Sequence, residues 1–207
     1  MIMSQKGVLT IISGFSGAGK GTVVKEMVKK YQYGLSISAT TRAPRDGEVD
    51  GREYFFKTKE EFEEMIAKNE LIEYAQYVEN YYGTPKEYVM QQLEKGTDVI
   101  LEIEMQGALH VREVFPEVNL VFLTPPSAKE LEKRLRNRGT ETEDVIAKRL
   151  SRAKEECAYM QEYDYIVVND DLEECVEKMH ELIQSLHYKR ENQKELIQTI
   201  TEEFAQR

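Results

Sequence analysis

A glycine-rich segment near the start of the chain has the residue types and spacing that bind phosphate groups. It fits the pattern G-x-x-x-x-G-K and reads Gly14-Phe15-Ser16-Gly17-Ala18-Gly19-Lys20. Glycines let successive backbone N–H groups wrap around phosphates, and Lys20 can reach the outer phosphates of a nucleotide. Gly21 stands where the pattern has Ser or Thr, so the hydroxyl expected to meet Mg²⁺ moves one residue on, to Thr22. We therefore predict a phosphate loop at residues 14–21.

The segments that flank this loop predict the elements that position it. Val8–Ser13 is a short β-branched run typical of a buried strand, and the chain from Lys20 to about Tyr31 has the apolar spacing of a helix. Three later runs also have the composition of buried strands, namely Asp98–Ile103, Asn119–Thr124 and Tyr165–Val168. Because helical segments fill the gaps, the sequence predicts an α/β protein whose parallel sheet is flanked by helices.

Three stretches interrupt this alternation of strands and helices. Residues from about 37 to 91 hold a loop rich in Arg, Gly and Asp, short aromatic strands and a short helix that Thr58 and Glu61 would cap. This pattern indicates an inserted subdomain. Residues from about 129 to 163 are highly charged and helical. Residues 188–207 follow the last amphipathic helix of the domain, and we predict a helical extension there.

The composition limits the classes of protein and partner. The chain has 207 residues, with 38 acidic and 28 basic side chains and a formal net charge of −10. Since no overall positive field attracts nucleic acid, basic groups that bind an anionic substrate must be concentrated locally. The two cysteines, Cys157 and Cys175, match no metal-binding spacing. No apolar run is long enough to span a membrane, so we expect a cytoplasmic protein without membrane or nucleic-acid partners.

A series of ordered motifs covers nearly the whole chain. Besides the phosphate loop it comprises Ser38–Arg45, Gly47–Glu48, Gly51–Phe56, Leu71–Ala75, Tyr81–Thr84, Leu101–Gly107, Arg134–Thr142 and Val167–Asp171. In order and spacing these motifs resemble guanylate kinases, which phosphorylate GMP from ATP, over about residues 6–187. The resemblance implies a P-loop NTPase-type fold with a GMP-binding insertion at about 37–91 and a helical lid at about 129–163. It also implies ATP as co-substrate and Mg²⁺ as cofactor.

The resemblance assigns the phosphate of GMP to four residues of the insertion. Arg42, Arg45, Tyr54 and Tyr82 would hold it, because guanidinium groups bind a dianion bidentately and phenolic hydroxyls add hydrogen-bond donors. Taken without the resemblance, the two arginines could equally belong to a solvated loop, and the two tyrosines are more typical of core or sheet-edge positions.

The resemblance assigns recognition of the base to a carboxylate. Glu73 would accept hydrogen bonds from N1–H and from the N2 amino group of guanine, two adjacent donors that adenine lacks. Ser38 and Thr84 would offer hydroxyl groups to the other side of the base. From composition alone, Glu73 would be interpreted as an ordinary surface acid.

Two further acidic residues end a predicted strand, at the sheet edge where α/β proteins bind ligands. The resemblance places Glu102 and Glu104 near GMP or Mg²⁺, directly or through a water molecule, with Thr22 as the third candidate for the metal. The chain departs from the usual family pattern in two places. Glu104 stands where Asp is usual, and Phe15 stands where Pro is usual.

The resemblance also supplies positive charge for the transferred phosphoryl group. The expected catalytic residues are Lys20, Arg42, Arg134, Arg138 and Arg149. The expected ATP contacts are Gly14, Phe15, Ser16, Gly17, Ala18, Gly19, Lys20, Gly21, Thr22 and Asn169, the last near the adenine. No general base is required, because a phosphate oxygen of GMP is already ionised near neutral pH, with a second pKa of about 6.

Two alternatives of different classes stay open. One is a catalytically inactive binding module that resembles guanylate kinase, and the other is a kinase for another nucleoside monophosphate. Gly19, Lys20 and the lid arginines argue against the first, and Glu73 with Thr84 argues against the second. The sequence leaves open whether the protein is a monomer or a homodimer.

Overall fold

The computed structural model describes residues 6–77, 79–137 and 142–207, and its centre is a five-stranded sheet. The strands of this sheet are β1 Leu9–Gly14, β2 Gly34–Leu35, β7 Val99–Glu102, β8 Asn119–Thr124 and β9 Tyr165–Val168. They are all parallel and lie in the order β2-β7-β1-β8-β9. The predicted parallel α/β sheet is therefore confirmed, and the ends of its four predicted strands differ from the predictions by one residue at most.

Alternating side chains of these strands build a core on each face of the sheet. Ile11 and Phe122 pack on one face, and Ile12 and Leu123 pack on the other. The first face is covered by helices α3 Lys86–Glu94, α4 Met105–Val114, α5 Ala128–Asn137 and α6 Glu143–Glu156. The second is covered by α1 Lys20–Tyr31 and α7 Leu172–Leu186. Burial on both faces explains why these strands are continuous apolar runs.

The parallel arrangement brings three chain segments to one edge of the sheet. The phosphate loop follows β1, Glu102 ends β7, and Asn169 follows β9. Because parallel strands all end at the same edge, these segments lie together at the position where open α/β sheets bind ligands.

A second, smaller sheet lies within the predicted insertion. Its strands are β3 Ala39–Thr40, β4 Phe55–Phe56, β5 Leu71–Tyr77 and β6 Asn80–Pro85, in the order β4-β3-β6-β5. Helix α2 Lys59–Ala67 begins with the predicted capping box of Thr58 and Glu61. Phe62 on this helix is fully buried and stacks on Tyr81 at 5.3 Å between ring centroids. Residues 37–91 also include the first part of α3, whose Val89 is buried in the central core.

The chain ends in a helical segment at the opposite end of the sheet. A short 3-10 helix, Arg190–Gln193, leads into α8 Lys194–Ala205, which buries none of its residues. Lys189 donates to the side chain of Asn119, and Lys194 pairs with Glu117. In the part of the chain that the structure describes, none of the helices is both long and apolar enough to cross a lipid bilayer.

Candidate active site

The side chain of Lys20 folds back onto the phosphate loop that carries it. The Lys20 ammonium group donates hydrogen bonds to the carbonyl oxygens of Gly14, at 2.8 Å, and Phe15, at 3.3 Å. Helix α1 begins at Lys20, and the N-terminus of a helix presents unpaired N–H groups and a favourable dipole to an anion. A positive charge and backbone donors therefore meet at the carboxyl edge of the sheet.

Asn169 supports this loop from the end of β9. Its side-chain Nδ2 donates to the carbonyl oxygen of Ala18 at 2.8 Å. Gly19 has φ 93°, and a Cβ at this position would lie 2.6 Å from the same Nδ2 atom. A side chain at Gly19 would therefore be strained and would displace Asn169. The structure places the amide of Asn169 against the loop, and the expected contact with adenine stays a prediction.

Glu102 lies beside the first turn of α1. Its two carboxylate oxygens are 3.6 and 3.7 Å from the position that a Cβ on Gly21 would occupy. Partial desolvation raises the pKa of the Glu102 carboxyl group, and the positive charge of Lys20 opposes this shift. The carboxylate thus lies close to the loop, next to the turn that carries Thr22.

The structure brings Arg42, Tyr54 and Tyr82 together on the second sheet. The Arg42 guanidinium lies 5.3 Å from the centre of the Tyr54 ring, and the rings of Tyr54 and Tyr82 are 6.1 Å apart. The side chain of Arg45 is exposed, and its backbone N–H donates to Glu48 at 2.7 Å. This group combines a guanidinium with two phenolic hydroxyls, which are donors suited to a phosphate.

Glu73 is a buried carboxylate between the second sheet and α4. Its Oε1 accepts a hydrogen bond of 2.8 Å from Thr84 Oγ1. Its Oε2 lies 3.1 Å from the position that a Cβ on Gly107 would occupy, so the glycine leaves space for this oxygen. Burial raises the pKa of the Glu73 carboxyl group. Ser38 precedes β3, and its carbonyl accepts from the Phe55 N–H at 2.9 Å.

Two of the three predicted lid arginines contact segments at the carboxyl edge of the central sheet, namely the phosphate loop and the segment after β9. Arg149 on α6 donates from Nη1 to the Ser16 hydroxyl of the phosphate loop. Arg134 on α5 pairs with Glu130 at 3.1 Å and donates to the Asp170 carbonyl at 3.4 Å, just beyond Asn169. Arg138 lies outside the described residues.

Comparisons with known proteins agree on one family. The family model described as guanylate kinase matches residues 6–186. The chain is 52% identical to guanylate kinase of Streptococcus thermophilus (strain CNRZ 1066) over 191 residues, which is 91% of either chain. It is 55% identical to that of Halalkalibacterium halodurans over 190 residues, or 90% of this chain and 92% of the relative. The chain belongs to the guanylate kinase family.

A solved structure supports the same assignment at the level of the fold. The crystal structure of guanylate kinase from Anaplasma phagocytophilum superimposes with a TM-score of 0.70 at 32% identity, covering 90% of this chain and 89% of that one. Guanylate kinase from Caldanaerobacter subterraneus is 49% identical over 204 residues, or 98% of this chain and 99% of the relative. That coverage includes most of residues 188–207, so the similarity to this guanylate kinase extends into the C-terminal segment.

The structure links Glu104, a predicted site residue, to Glu156, which the sequence did not point to, through Arg152, a further candidate arginine of the predicted lid. Arg152 on α6 donates to Glu104 at 3.2 Å and to Glu156 at 2.9 Å. Burial raises the pKa of the Glu156 carboxyl group, on which the charges of Glu104 and Lys20 also act. Arg152 and Glu156 are four residues apart on one helix, a spacing that usually indicates a solvated pair. Their proximity to Lys20 becomes visible only in the folded chain.

Proposed function

We propose that this protein transfers the γ-phosphoryl group of ATP to GMP, giving ADP and GDP. One relationship carries the proposal: a single short segment touches both nucleotide sites. At its start, Glu102 lies against Gly21 of the phosphate loop, and five residues later Gly107 lies against Glu73. The donor loop and the carboxylate for the acceptor base thus lie beside opposite ends of residues 102–107.

The acceptor base is recognised through Glu73 and Thr84. The Thr84 hydroxyl donates to Oε1 of Glu73, which orients the carboxylate and leaves its remaining acceptor capacity to guanine. A guanine presents N1–H and its N2 amino group side by side, and one carboxylate accepts both hydrogen bonds. An adenine in this place would leave the buried carboxylate without the two donors that guanine supplies, which is costly. This arrangement favours GMP over AMP.

The acceptor phosphate is held by Arg42, Tyr54 and Tyr82, with Arg45 as a further candidate. Their positive charge and hydroxyl donors neutralise the phosphate while leaving one of its oxygens as the nucleophile. That oxygen needs no general base, since it is ionised near neutral pH. What the protein contributes is alignment of the two nucleotides and electrostatic stabilisation of the transferred group.

The transferred phosphoryl group is stabilised by Lys20 and by arginines of the lid. Lys20 already lies in the loop, bonded to the Gly14 carbonyl. Arg149 reaches the same loop from α6, and Arg134 approaches from α5. Arg138 stays part of this proposal on the basis of its motif alone. These basic groups concentrate positive charge locally in a protein of net charge −10.

The donor set also fits Mg²⁺. Among the described residues, no three or more His, Cys, Asp or Glu side chains are grouped as a metal site. Mg²⁺ usually binds through one or two carboxylates, waters and substrate phosphates. Glu102 beside Gly21 is the first candidate, with Thr22 and Glu104 as others, directly or through water. When bound with ATP, Mg²⁺ supplies positive charge to the phosphate oxygens.

A coupled assay of ADP release tests this proposal. ATP and Mg²⁺ are supplied with GMP, AMP, CMP or UMP in turn, and we expect rapid turnover with GMP only. Binding of GMP without ADP release would instead indicate the inactive binding module. A preference for another monophosphate would indicate the alternative kinase.

We also propose that the protein is located in the cytoplasm, which is supported by two free cysteines, Cys157 and Cys175.

A further inference from the structure

Glu48 is bound to the arginine that the proposed function assigns to the acceptor phosphate. Its Oε1 and Oε2 accept hydrogen bonds from Nη2 and Nη1 of Arg42 at 2.9 and 3.0 Å. Its Oε2 also accepts the backbone N–H of Arg45 at 2.7 Å. The two paired side chains are only 16% and 17% exposed. Hydrogen bonds from Arg42 hold the pKa of Glu48 below its ordinary value, so the carboxylate is charged at neutral pH.

The pairing with Glu48 occupies one edge of the Arg42 guanidinium and leaves a second edge for a ligand. Nη1 donates to Glu48 and to the Ala43 carbonyl, at 2.7 Å, and Nη2 gives one of its two N–H groups to Glu48. Among the residues that the structure describes, none accepts a hydrogen bond from the Nε–H or from the second N–H of Nη2. These two donors form the side-on edge of a guanidinium, which matches a phosphate bidentately. The guanidinium plane is also held by the rings of Tyr54 and Phe56, at 5.3 and 5.8 Å.

We propose that Glu48 is a positioning residue. It binds the end-on edge of Arg42, formed by Nη1 and Nη2, so that the side-on edge, formed by Nε and Nη2, is presented to the phosphate of GMP. This inference rests on the proposed function, which assigns Arg42 to that phosphate. Without Glu48, the long side chain of Arg42 would have several rotamers, and each GMP molecule would have to order it on binding. The edge bound to Glu48 meets the phosphate-facing edge at Nη2, so the positive charge of Arg42 lies between the two anions and offsets their repulsion.

The first test is the substitution Glu48→Gln, which keeps the shape of the side chain and removes its charge. We expect KM for GMP to rise about tenfold, because a poorly ordered Arg42 costs binding energy. We expect kcat at saturating GMP to change less than about twofold, and KM for ATP to stay constant. Glu48→Asp keeps the charge on a shorter side chain. Its KM for GMP is expected to lie between that of the parent protein and that of Glu48→Gln.

Glu53→Gln provides a matched control in the same loop. Glu53 also pairs with an arginine, Arg52, and accepts a backbone N–H, from Val49 at 2.8 Å, but neither partner is assigned to GMP. Its kinetic constants are expected to equal those of the parent protein. Thermal unfolding of every variant checks that the fold is intact.

The double variant separates this inference from the proposed function. Arg42→Ala alone must raise KM for GMP, and if it does not, the proposed phosphate site is wrong. On the Arg42→Ala background, Glu48→Gln should add less than about twofold, because its effect passes through the arginine. An equal rise on both backgrounds would show that Glu48 only folds the loop, through the Arg45 amide. A fall in KM with Glu48→Gln would show that the carboxylate hinders GMP. Either result overturns the positioning role.

Discussion

Arg149 on helix α6 donates a hydrogen bond to the hydroxyl of Ser16, although 133 residues separate the two along the chain. This contact joins helix α6, part of the predicted lid, to the phosphate loop. Both groups are polar and lie beside the loop that carries Lys20. An incoming triphosphate offers the guanidinium a much stronger partner than a neutral hydroxyl. We therefore expect Ser16 to hold the place of a phosphate oxygen.

Arg149→Ala is expected to lower kcat by about 10³-fold, in the range found for arginines that stabilise phosphoryl transfer. Ser16→Ala is the matched control, because it removes one hydrogen-bond partner of the arginine and leaves the guanidinium. That variant should keep kcat within about threefold. The measurement is kcat for GMP phosphorylation at saturating ATP. If the two variants lose activity equally, Arg149 acts through the loop and does not contact the transferred group.

Lys20→Ala is expected to lower kcat by about 10²–10³-fold, the cost of removing one group that stabilises charge in the transition state. The fold should survive, since the hydrogen bonds that Lys20 makes within the described part of the chain go to two carbonyls of its own loop. Lys29→Ala, at an exposed position near the end of α1, is the control and should be fully active. Steady-state kinetics and thermal unfolding decide the outcome. Near-normal turnover of Lys20→Ala would show that the phosphate loop is assigned wrongly.

The local elements of the donor site could be predicted because their signals lie in adjacent residues. The strand before the phosphate loop, the helix that begins at Lys20 and the capping box at Thr58 each depend on a few neighbouring side chains. Hydrophobic periodicity and capping act over one or two turns, so the sequence carries them directly. The four main strands were predictable for the same reason.

The contacts that organise the site could not be predicted, because they join distant segments. Asn169 reaches Ala18 across 151 residues, and Gly107 lies against Glu73 only because α4 packs on β5. Glu48 belongs to one of the motifs that carry the resemblance, but the sequence indicated no role for it. Packing of the two sheets, which no local pattern specifies, decides these positions.

The C-terminal segment, residues 188–207, is expected to be dispensable for catalysis. It lies at the amino-terminal end of the parallel strands, where Lys189 contacts Asn119, away from the phosphate loop. A chain ending at His187 keeps the bond between His187 and Asp98, at 3.0 Å. We expect its kcat and KM for GMP to stay within about threefold of the parent, a change of less than about 0.7 kcal/mol in activation free energy. A folded truncation that loses GMP turnover would contradict this prediction.

The same segment is expected to mediate self-association. Leu196, Ile197, Ile200 and Phe204 are exposed and fall within about 100° of arc on α8. A 12-residue helix that buries none of its side chains is marginal in water by itself. Ile200→Glu should lower the sedimentation coefficient at high protein concentration. Gln198→Glu, at an exposed position about 150° around the helix from the centre of the apolar face, should not. Identical sedimentation of both variants and the parent would exclude association through α8.

Glu73→Gln is expected to weaken GMP turnover selectively. Gln can still accept the hydrogen bond from Thr84, but it offers guanine one carbonyl and one amide donor in place of two charged acceptors. Losing one charged hydrogen bond and straining the other should cost roughly 2–5 kcal/mol, on the order of 30- to 5,000-fold in kcat/KM. Any weak AMP turnover should change far less. Equal losses for both substrates would show that Glu73 does not recognise the base.

The same substitution is expected to stabilise the ligand-free fold at neutral pH. Burial raises the pKa of Glu73 above its ordinary value, so the folded chain binds a proton there more readily than the unfolded chain does. The stabilising contribution of Glu73 to the free energy of unfolding is therefore fully present below the pKa of the unfolded chain. It is lost as the pH rises through the raised pKa of the folded chain. Glu73→Gln removes this loss, so its Tm should exceed the parent's at about pH 7, and the difference should narrow toward about pH 4. Thermal unfolding at both pH values tests this, and a lower Tm for the variant at about pH 7 would show that the ionised carboxylate stabilises the empty site.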